Sequence, residues 1–224
     1  MQAELLPIQI RDRIQFMTEK SAEKLAINGG AKVAPDGVSV RKLFGESEKK
    51  AVMNLFDRGM AEGSHLLGYG GEQEEAYCED FCRLMGGGYA DGVNSGTSAV
   101  YAALGATDPP VMSEVVVPPI SDPGGVMPVT MLNCIPVSAD AAPDCGYNMG
   151  PAQVEEVVTE RTHAIIVAHI AGIPVDMAPI LELAQERDLF VIEDCAQAHG
   201  ARYQGRPVGT FGDVAAFSTM FGKH

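Results

Sequence analysis

Positive charge is scarce in this sequence. Sixteen Lys and Arg stand against thirty Asp and Glu, for a formal net charge of -14. A protein that grips a phosphate backbone needs a basic face, so nucleic acid is excluded as a partner, and an anionic membrane surface with it. Long apolar runs are missing too. The longest, "AIIVAHIAGIPV", is about half the roughly 20 residues of a membrane-spanning helix, and a His and a Pro interrupt it. The stretch "MQAELLPIQIRDRIQF" is acidic early and lacks the basic, apolar, small-residue order of a secretory signal. These shortages point to a cytoplasmic protein. Neither G-x-G-x-x-G nor a Walker sequence occurs, so dinucleotide and nucleoside triphosphate sites lack their usual signature. The five cysteines are odd in number and loosely spaced. Cys78 and Cys82 lie four apart on a predicted helix, half a metal site at most. No second Cys/His pair matches them, so buried apolar thiols and no metal are expected. Repeats and low-complexity segments are also absent.

What is present is a globular pattern, 46% hydrophobic and 21% charged, enough to bury a core. Residues 1–44 are mixed, end in the turn material "NGGAKVAPDG", and read as an arm. "SEKKAVMNLFDRG" predicts a helix with a Ser cap and a Gly stop, and "GGEQEEAYCEDFCRLMG" a second with acid at its start. From residue 89 the pattern alternates. A short strand and turn are expected at "YADGVNSG", and strands at "EVVVPP", "IPVSAD", "HAIIVAHI", "LFVIEDC" and "DVAAFST". Helices are expected at "TSAVYAALGA", "GGVMPVTMLN", "GPAQVEEVVTE" and "MAPILELAQERD", with Pro128 in the first turn of its helix. Strand–helix alternation with near-continuous apolar strands predicts an α/β fold, a mostly parallel sheet with helices on both faces. Ligands of such sheets bind outside the carboxyl ends of the strands.

The groups expected at that edge are few. "NSGTSA", Asn94 to Ala99, opens a helix with a Gly and small hydroxyl residues. That suits an anion site, and equally a plain helix cap. Glu193 and Asp194 end a buried strand and point to opposite faces, one facing solvent and the other a ligand, or else they cap a turn. Gln197 and His199 follow. His169 closes another strand and reads as a satisfied edge histidine before a reactive one. Ser218 closes the last strand, and Lys223 follows it on a glycine-hinged turn, where it is a solvated lysine or a cofactor anchor.

Taken together, "VNSGTSAVYAAL", "EVVVPP", "RTHAIIVAHIAGIPVDM", "VIEDCAQAHGARYQGRPVGTFGDVAAFS" and the Gly-Lys pair resemble the large domain of the DegT/DnrJ/EryC1/StrS family of pyridoxal-phosphate sugar aminotransferases, with the type I aminotransferase fold. The resemblance implies roles residue by residue. Lys223 looks like the lysine that holds pyridoxal 5'-phosphate as a Schiff base and moves the α-proton, work a lysine does best with a lowered pKa. Asp194 looks like the carboxylate under the pyridine nitrogen, where its charge keeps the ring an electron sink. Gln197 matches the contact to the ring's 3'-oxygen. Thr97 and Ser98 match the phosphate cup, and Ser218 its remaining hydroxyl. The resemblance also implies an amino donor, glutamate most often, a keto-sugar acceptor that is nucleotide-linked or a cyclitol, and a homodimer with shared active sites.

The sequence departs from that pattern at Asp122, where the family usually carries an aromatic residue that stacks on the cofactor ring. "SDPGG" around it is a strong turn signal, so a reshaped loop is expected. The resemblance further implies that residues 45–224 are a cofactor-binding large domain truncated after the lysine. On the same resemblance a small C-terminal domain is expected to be missing from these residues, and an isolated 1–224 polypeptide is expected to be inactive. Two alternatives accompany the aminotransferase reading. One is a sugar dehydratase, whose relatives carry histidine in place of the lysine. The other is a non-catalytic protein of the same fold, a binding or regulatory role favoured by Asp122.

Overall fold

A computed structural model of the chain describes residues 25–32, 44–63, 70–143 and 146–223. Most of the expected arm, Cys145 and His224 lie outside the described residues. The chain forms two units, Met1–Lys50 and Ala51–His224. In the first, Ala26–Asn28 make a 3-10 turn that Gly29 ends in the left-handed region, φ 88. Gly45 N donates to Glu48 Oε2 at 2.6 Å and closes the start of α1, Glu46–Glu62, which from Ala51 on belongs to the second unit. Ser47 lies inside that first turn and does not cap it. Gly59 does not stop the helix either, since an interior glycine costs only about 1 kcal/mol. The chain leaves the helix at Gly63, φ 111.

The second unit holds the predicted sheet. Its helices are α2 (Glu72–Met85), α3 (Gly96–Gly105), α4 (Pro123–Met131), α5 (Pro151–Val157) and α6 (Met177–Arg187). Its main strands are β1 (Glu114–Val117), β2 (Ile135–Ser138), β3 (Thr162–Ala168), β4 (Phe190–Asp194) and β7 (Val214–Ala216). The short β5 (Arg202–Tyr203) and β6 (Arg206–Pro207) form an antiparallel pair of their own. The five main strands run in the order β2-β1-β3-β4-β7, and every pairing is parallel.

The period-2 alternation of the strands sorts the core into two layers. Val116, Ile165, Val167 and Val191 face one side, packed with Met177, Ile180 and Leu183 of α6 and Val154 of α5. Val115, Val117, Ala164, Ile166 and Ile192 face the other, packed with Val100, Ala103 and Leu104 of α3 and Val129 of α4. Both faces of β1, β3 and β4 are therefore covered, which explains the apolar runs VVV, AIIVA and FVI within them.

Two expectations are corrected. "YADGVNSG" forms no strand. β7 ends the sheet on that side, and Tyr89 to Asn94 line a cavity with β7 instead of pairing with it. Pro128 is not in the first turn of its helix. Pro123 takes that place, and Pro128 sits in the interior of α4, buried against the sheet.

Candidate active site

The parallel sheet delivers four chain segments to one edge. β1 leads through Ser121 to α4, β3 leads to His169, β4 ends at Asp194, and β7 leads to Ser218. The start of α3 joins them: a Cβ on Gly96 would lie 2.9 Å from the Cβ of Ser218.

At the start of α3, Ser95 is the cap. Its Oγ accepts from Ser98 N at 3.0 Å, and its hydroxyl donates to Ser98 Oγ at 3.0 Å. The N–H groups of Gly96 and Thr97 belong to the turn that no intrahelical carbonyl reaches. Cap and anion site, left as alternatives by the sequence, thus use different atoms of one turn. α4 begins in a similar way. "SDPGG" is not a free turn: Asp122 is the cap, its Oδ1 accepting from Gly124 N at 2.9 Å, and Pro123 opens the helix. The two helix starts touch closely enough that a Cβ on Gly124 would collide with Thr97 Oγ1.

Asp194 is 8% exposed and faces the α3 and α4 side, opposite to Glu193. Its Oδ1 accepts from Ala196 N at 3.0 Å. A Cβ on Gly125 would lie 2.8 Å from its Oδ2 and 2.8 Å from Ser121 Oγ, so only glycine leaves room there. Among the described residues Asp194 makes no ion pair within 4 Å. Burial pushes its carboxyl above the ordinary range, against the pull of the Ala196 N–H and the more distant charge of Lys223.

Glu193 corrects the expectation that one of the two acids faces solvent, because it is fully buried. Its Oε1 accepts from Phe211 N at 2.6 Å and Gly212 N at 2.8 Å. Its Oε2 accepts from Gly209 N at 2.7 Å and lies 3.1 Å from His169 Nε2. His169 Nδ1 accepts from Val175 N at 3.0 Å, which places the ring proton on Nε2, donated to Glu193. Burial raises the Glu193 pKa, but the His169 N–H and the three backbone N–H groups outweigh it and hold the carboxyl below its ordinary value. His169 is the satisfied edge histidine that the sequence suggests. His169, Glu193 and Cys195 offer three donor atoms within 4.8 Å of one another. The first two are engaged as described, and burial raises the Cys195 thiol far from its thiolate. Cys134 is buried as expected, whereas Cys78 and Cys82 are only half-buried. His199 packs edge-on to Phe217, ring centres 5.2 Å apart.

Lys223 is half-buried on a turn closed by its own N–H to Met220 O at 3.0 Å. It lines a cavity of about 1340 Å³ whose wall includes Thr97, Asp122, Asp194 and Ser218. It also lines a smaller one of about 420 Å³ with Ala171, Gln197 and Met220. Five of the six predicted site residues therefore meet at these two cavities, with Lys223 common to both. Ser98 lines neither; it sits one residue further into α3. Sequence reasoning missed Ser121 and Gly125 around Asp194. It also missed Asn148, which binds the turn after β3. The double glycine of "SDPGG" was the available signal for close approach, whereas Asn148 carries no local signal.

This edge can hold a ligand with an anionic group at the start of α3, a cationic or protonated nitrogen against Asp194, and a group within reach of an amine. The sequence model described as the DegT/DnrJ/EryC1/StrS aminotransferase family matches residues 48–224. The chain is 36% identical over 171 residues to the dTDP-3-amino-3,6-dideoxy-alpha-D-galactopyranose transaminase of Aneurinibacillus thermoaerophilus, covering 76% of this chain and 46% of that protein. It is 34% identical over 204 residues to the L-glutamine:2-deoxy-scyllo-inosose aminotransferase of Streptomyces lividus, covering 90% and 47%. Among solved structures, it superposes on the aminotransferase from Psychrobacter cryohalolentis with a TM-score of 0.73 at 32% identity, covering 81% of this chain and 44% of that one. The chain spans about half the length of the relatives it matches.

Proposed function

The chain belongs to the DegT/DnrJ/EryC1/StrS aminotransferase family, and on that premise we propose that it carries the cofactor site of an enzyme that aminates a keto sugar or cyclitol. The cofactor of this family is pyridoxal 5'-phosphate. When bound, it supplies an electron sink for a carbon that loses a proton. The observation that carries the reading is that Thr97, Asp194, Ser218 and Lys223 line one cavity.

Each group fits its part. The start of α3 offers the N–H groups of Gly96 and Thr97 and the Thr97 hydroxyl to a phosphate. Ser218, against Gly96, adds a hydroxyl. Ser98, which lines neither cavity, supports the phosphate turn from behind: its N–H donates to Ser95 Oγ, and its Oγ accepts from the Ser95 hydroxyl. Among the described residues no cation touches the buried Asp194 carboxyl, and a protonated ring nitrogen supplies the countercharge. Gly125 keeps the space beside Asp194 open for it. Lys223 Nζ is the nucleophile that anchors the cofactor and the base that moves the proton. Gln197 directs its amide N–H at the ring oxygen. Residues 45–224 form the cofactor-binding large domain on this reading.

The acceptor follows the names of the relatives, a dTDP-linked sugar in one and a scyllo-inosose in another. The S. lividus relative is named for L-glutamine as donor, so glutamine stands beside glutamate as the amino source. We further infer a cytoplasmic homodimer, with light scattering as the check on its mass. Among the described residues no helix is long and apolar enough to cross a membrane. A lysine, Lys223, lines both cavities, which favours amination over the dehydratase alternative.

The test uses the full-length protein loaded with pyridoxal phosphate. Glutamate or glutamine should convert its visible absorption to that of the amino form of the cofactor, and Lys223→Ala should abolish the conversion. Failure to bind the cofactor would overturn the reading. Binding with no response to either donor, or to other amino acids, would leave a binding protein without turnover.

A further inference from the structure

We propose that Asn148 is a positioning residue that fixes which end of the Gln197 amide faces the cavity. This rests on the reading of Gln197 as a donor to the cofactor.

Asn148 is 1% exposed and spends both ends of its side chain on one short turn. Its Oδ1 accepts from Ile170 N at 3.1 Å, and its Nδ2 donates to Ile173 O at 2.7 Å. Its own carbonyl accepts from Ala142 N at 3.0 Å, which holds the residue in place. Between the two clamped positions, Ala171 takes a left-handed conformation, φ 54 and ψ 25, that a residue with a Cβ adopts rarely and only when its surroundings impose it. The consequence is the direction of one bond. Ala171 N points at Gln197 Oε1, 2.9 Å away.

An amide has one acceptor end and one donor end. With Oε1 committed to Ala171, Nε2 is the end left for the cavity of about 420 Å³ that Gln197 shares with Ala171 and Lys223. The cavity then selects a ligand atom with a lone pair, such as a ring oxygen. If the turn relaxes, Ala171 N swings away and the amide is free to rotate, presenting an acceptor to an acceptor. Asn148 reaches no ligand itself. It acts through Ile170, Ala171 and the Gln197 amide.

A double-mutant cycle on the full-length protein tests this, with the dissociation constant for pyridoxal phosphate as the readout. Gln197→Ala should weaken binding about tenfold, the scale of one hydrogen bond to a charged group. Asn148→Ala should weaken it comparably, and in the Gln197→Ala background it should add less than about twofold. A full tenfold loss in both backgrounds would show a general structural role and overturn the proposal, as would an Asn148→Ala protein that binds normally while Gln197→Ala does not. If Gln197→Ala itself binds normally, the reading of Gln197 fails first and takes the proposal with it. A measurement that leaves Asn148 intact guards against a variant that does not fold. Gln197→Ala should speed amide hydrogen exchange at Ala171, and unchanged exchange there would also overturn the proposal.

Discussion

Replacing Glu193 by Gln changes one atom of a fully buried side chain and should cost much of the domain's stability. Both carboxylate oxygens are used twice. Phe211 N and Gly212 N donate to one, and Gly209 N and the His169 ring donate to the other. Whichever oxygen becomes an amide nitrogen, two N–H groups then face an N–H. Hydrogen bonds to a charged group contribute about 1.5–3 kcal/mol each, so two lost bonds amount to about 3–6 kcal/mol. The same network fixes the pH dependence. The folded pKa of Glu193 is depressed, because four donors outweigh the effect of burial. Its stabilisation is therefore complete above its unfolded pKa of about 4.3 and is lost as pH falls through the lower folded value. Denaturant unfolding of wild type and Glu193→Gln, followed from pH 7 downward, should show a gap of that size at neutral pH that narrows below about pH 4. A gap under about 1 kcal/mol at pH 7, the ordinary effect of a mild substitution, would refute the reasoning. So would a gap that acid leaves unchanged.

Three further outcomes are expected. Asp194→Asn should stabilise the cofactor-free protein at pH 7, because burial raises the folded pKa of Asp194 and the charged form opposes folding. The gain should fade below about pH 4, where the unfolded carboxyl is also protonated, and the same variant should bind pyridoxal phosphate more weakly in a titration. Gly125→Ala puts a methyl 2.8 Å from Asp194 Oδ2. Overpacking of about 1–3 kcal/mol should appear as a lower thermal midpoint together with weaker cofactor binding. Asp122→Ala removes the cap of α4 and should cost about 1 kcal/mol in denaturant unfolding.

The fold was legible because its strands and helices announce themselves by different periods. "HAIIVAHI" is apolar without a break between its two histidines, and the structure covers both its faces. Pro151 opens α5 where a helix-starting proline belongs. What misled was local chemistry that tertiary context decides. "YADGVNSG" offers only Tyr89 and Val93 as strand formers among Ala, Asp, Gly, Asn and Ser, and it lines a cavity beside the edge strand β7 instead of pairing with it. Ser47 has the residue type of a cap and Gly59 that of a stop, yet α1 extends past both. "SDPGG" reads as a turn, although an Asp followed by Pro is also how a helix begins. At the site, Asp194, Lys223 and Thr97 were visible as residues at strand ends and a helix start. The burial of Glu193 was not visible. It depends on three amides from a loop well beyond it in sequence and on the histidine that follows β3, contacts that no spacing rule anticipates. Asn148 was silent for the same reason, since its two bonds reach a turn more than twenty residues away.

On the proposed function, the carboxyl edge of this sheet holds pyridoxal phosphate through Lys223, with Asp194 beneath the ring nitrogen. The most direct measurement is reductive trapping of the full-length protein in the presence of the cofactor, followed by peptide mass spectrometry. A phosphopyridoxyl mass is expected on the peptide that contains Lys223, lost in Lys223→Ala and reduced in Asp194→Asn. A label on another lysine, or none at all, would contradict it.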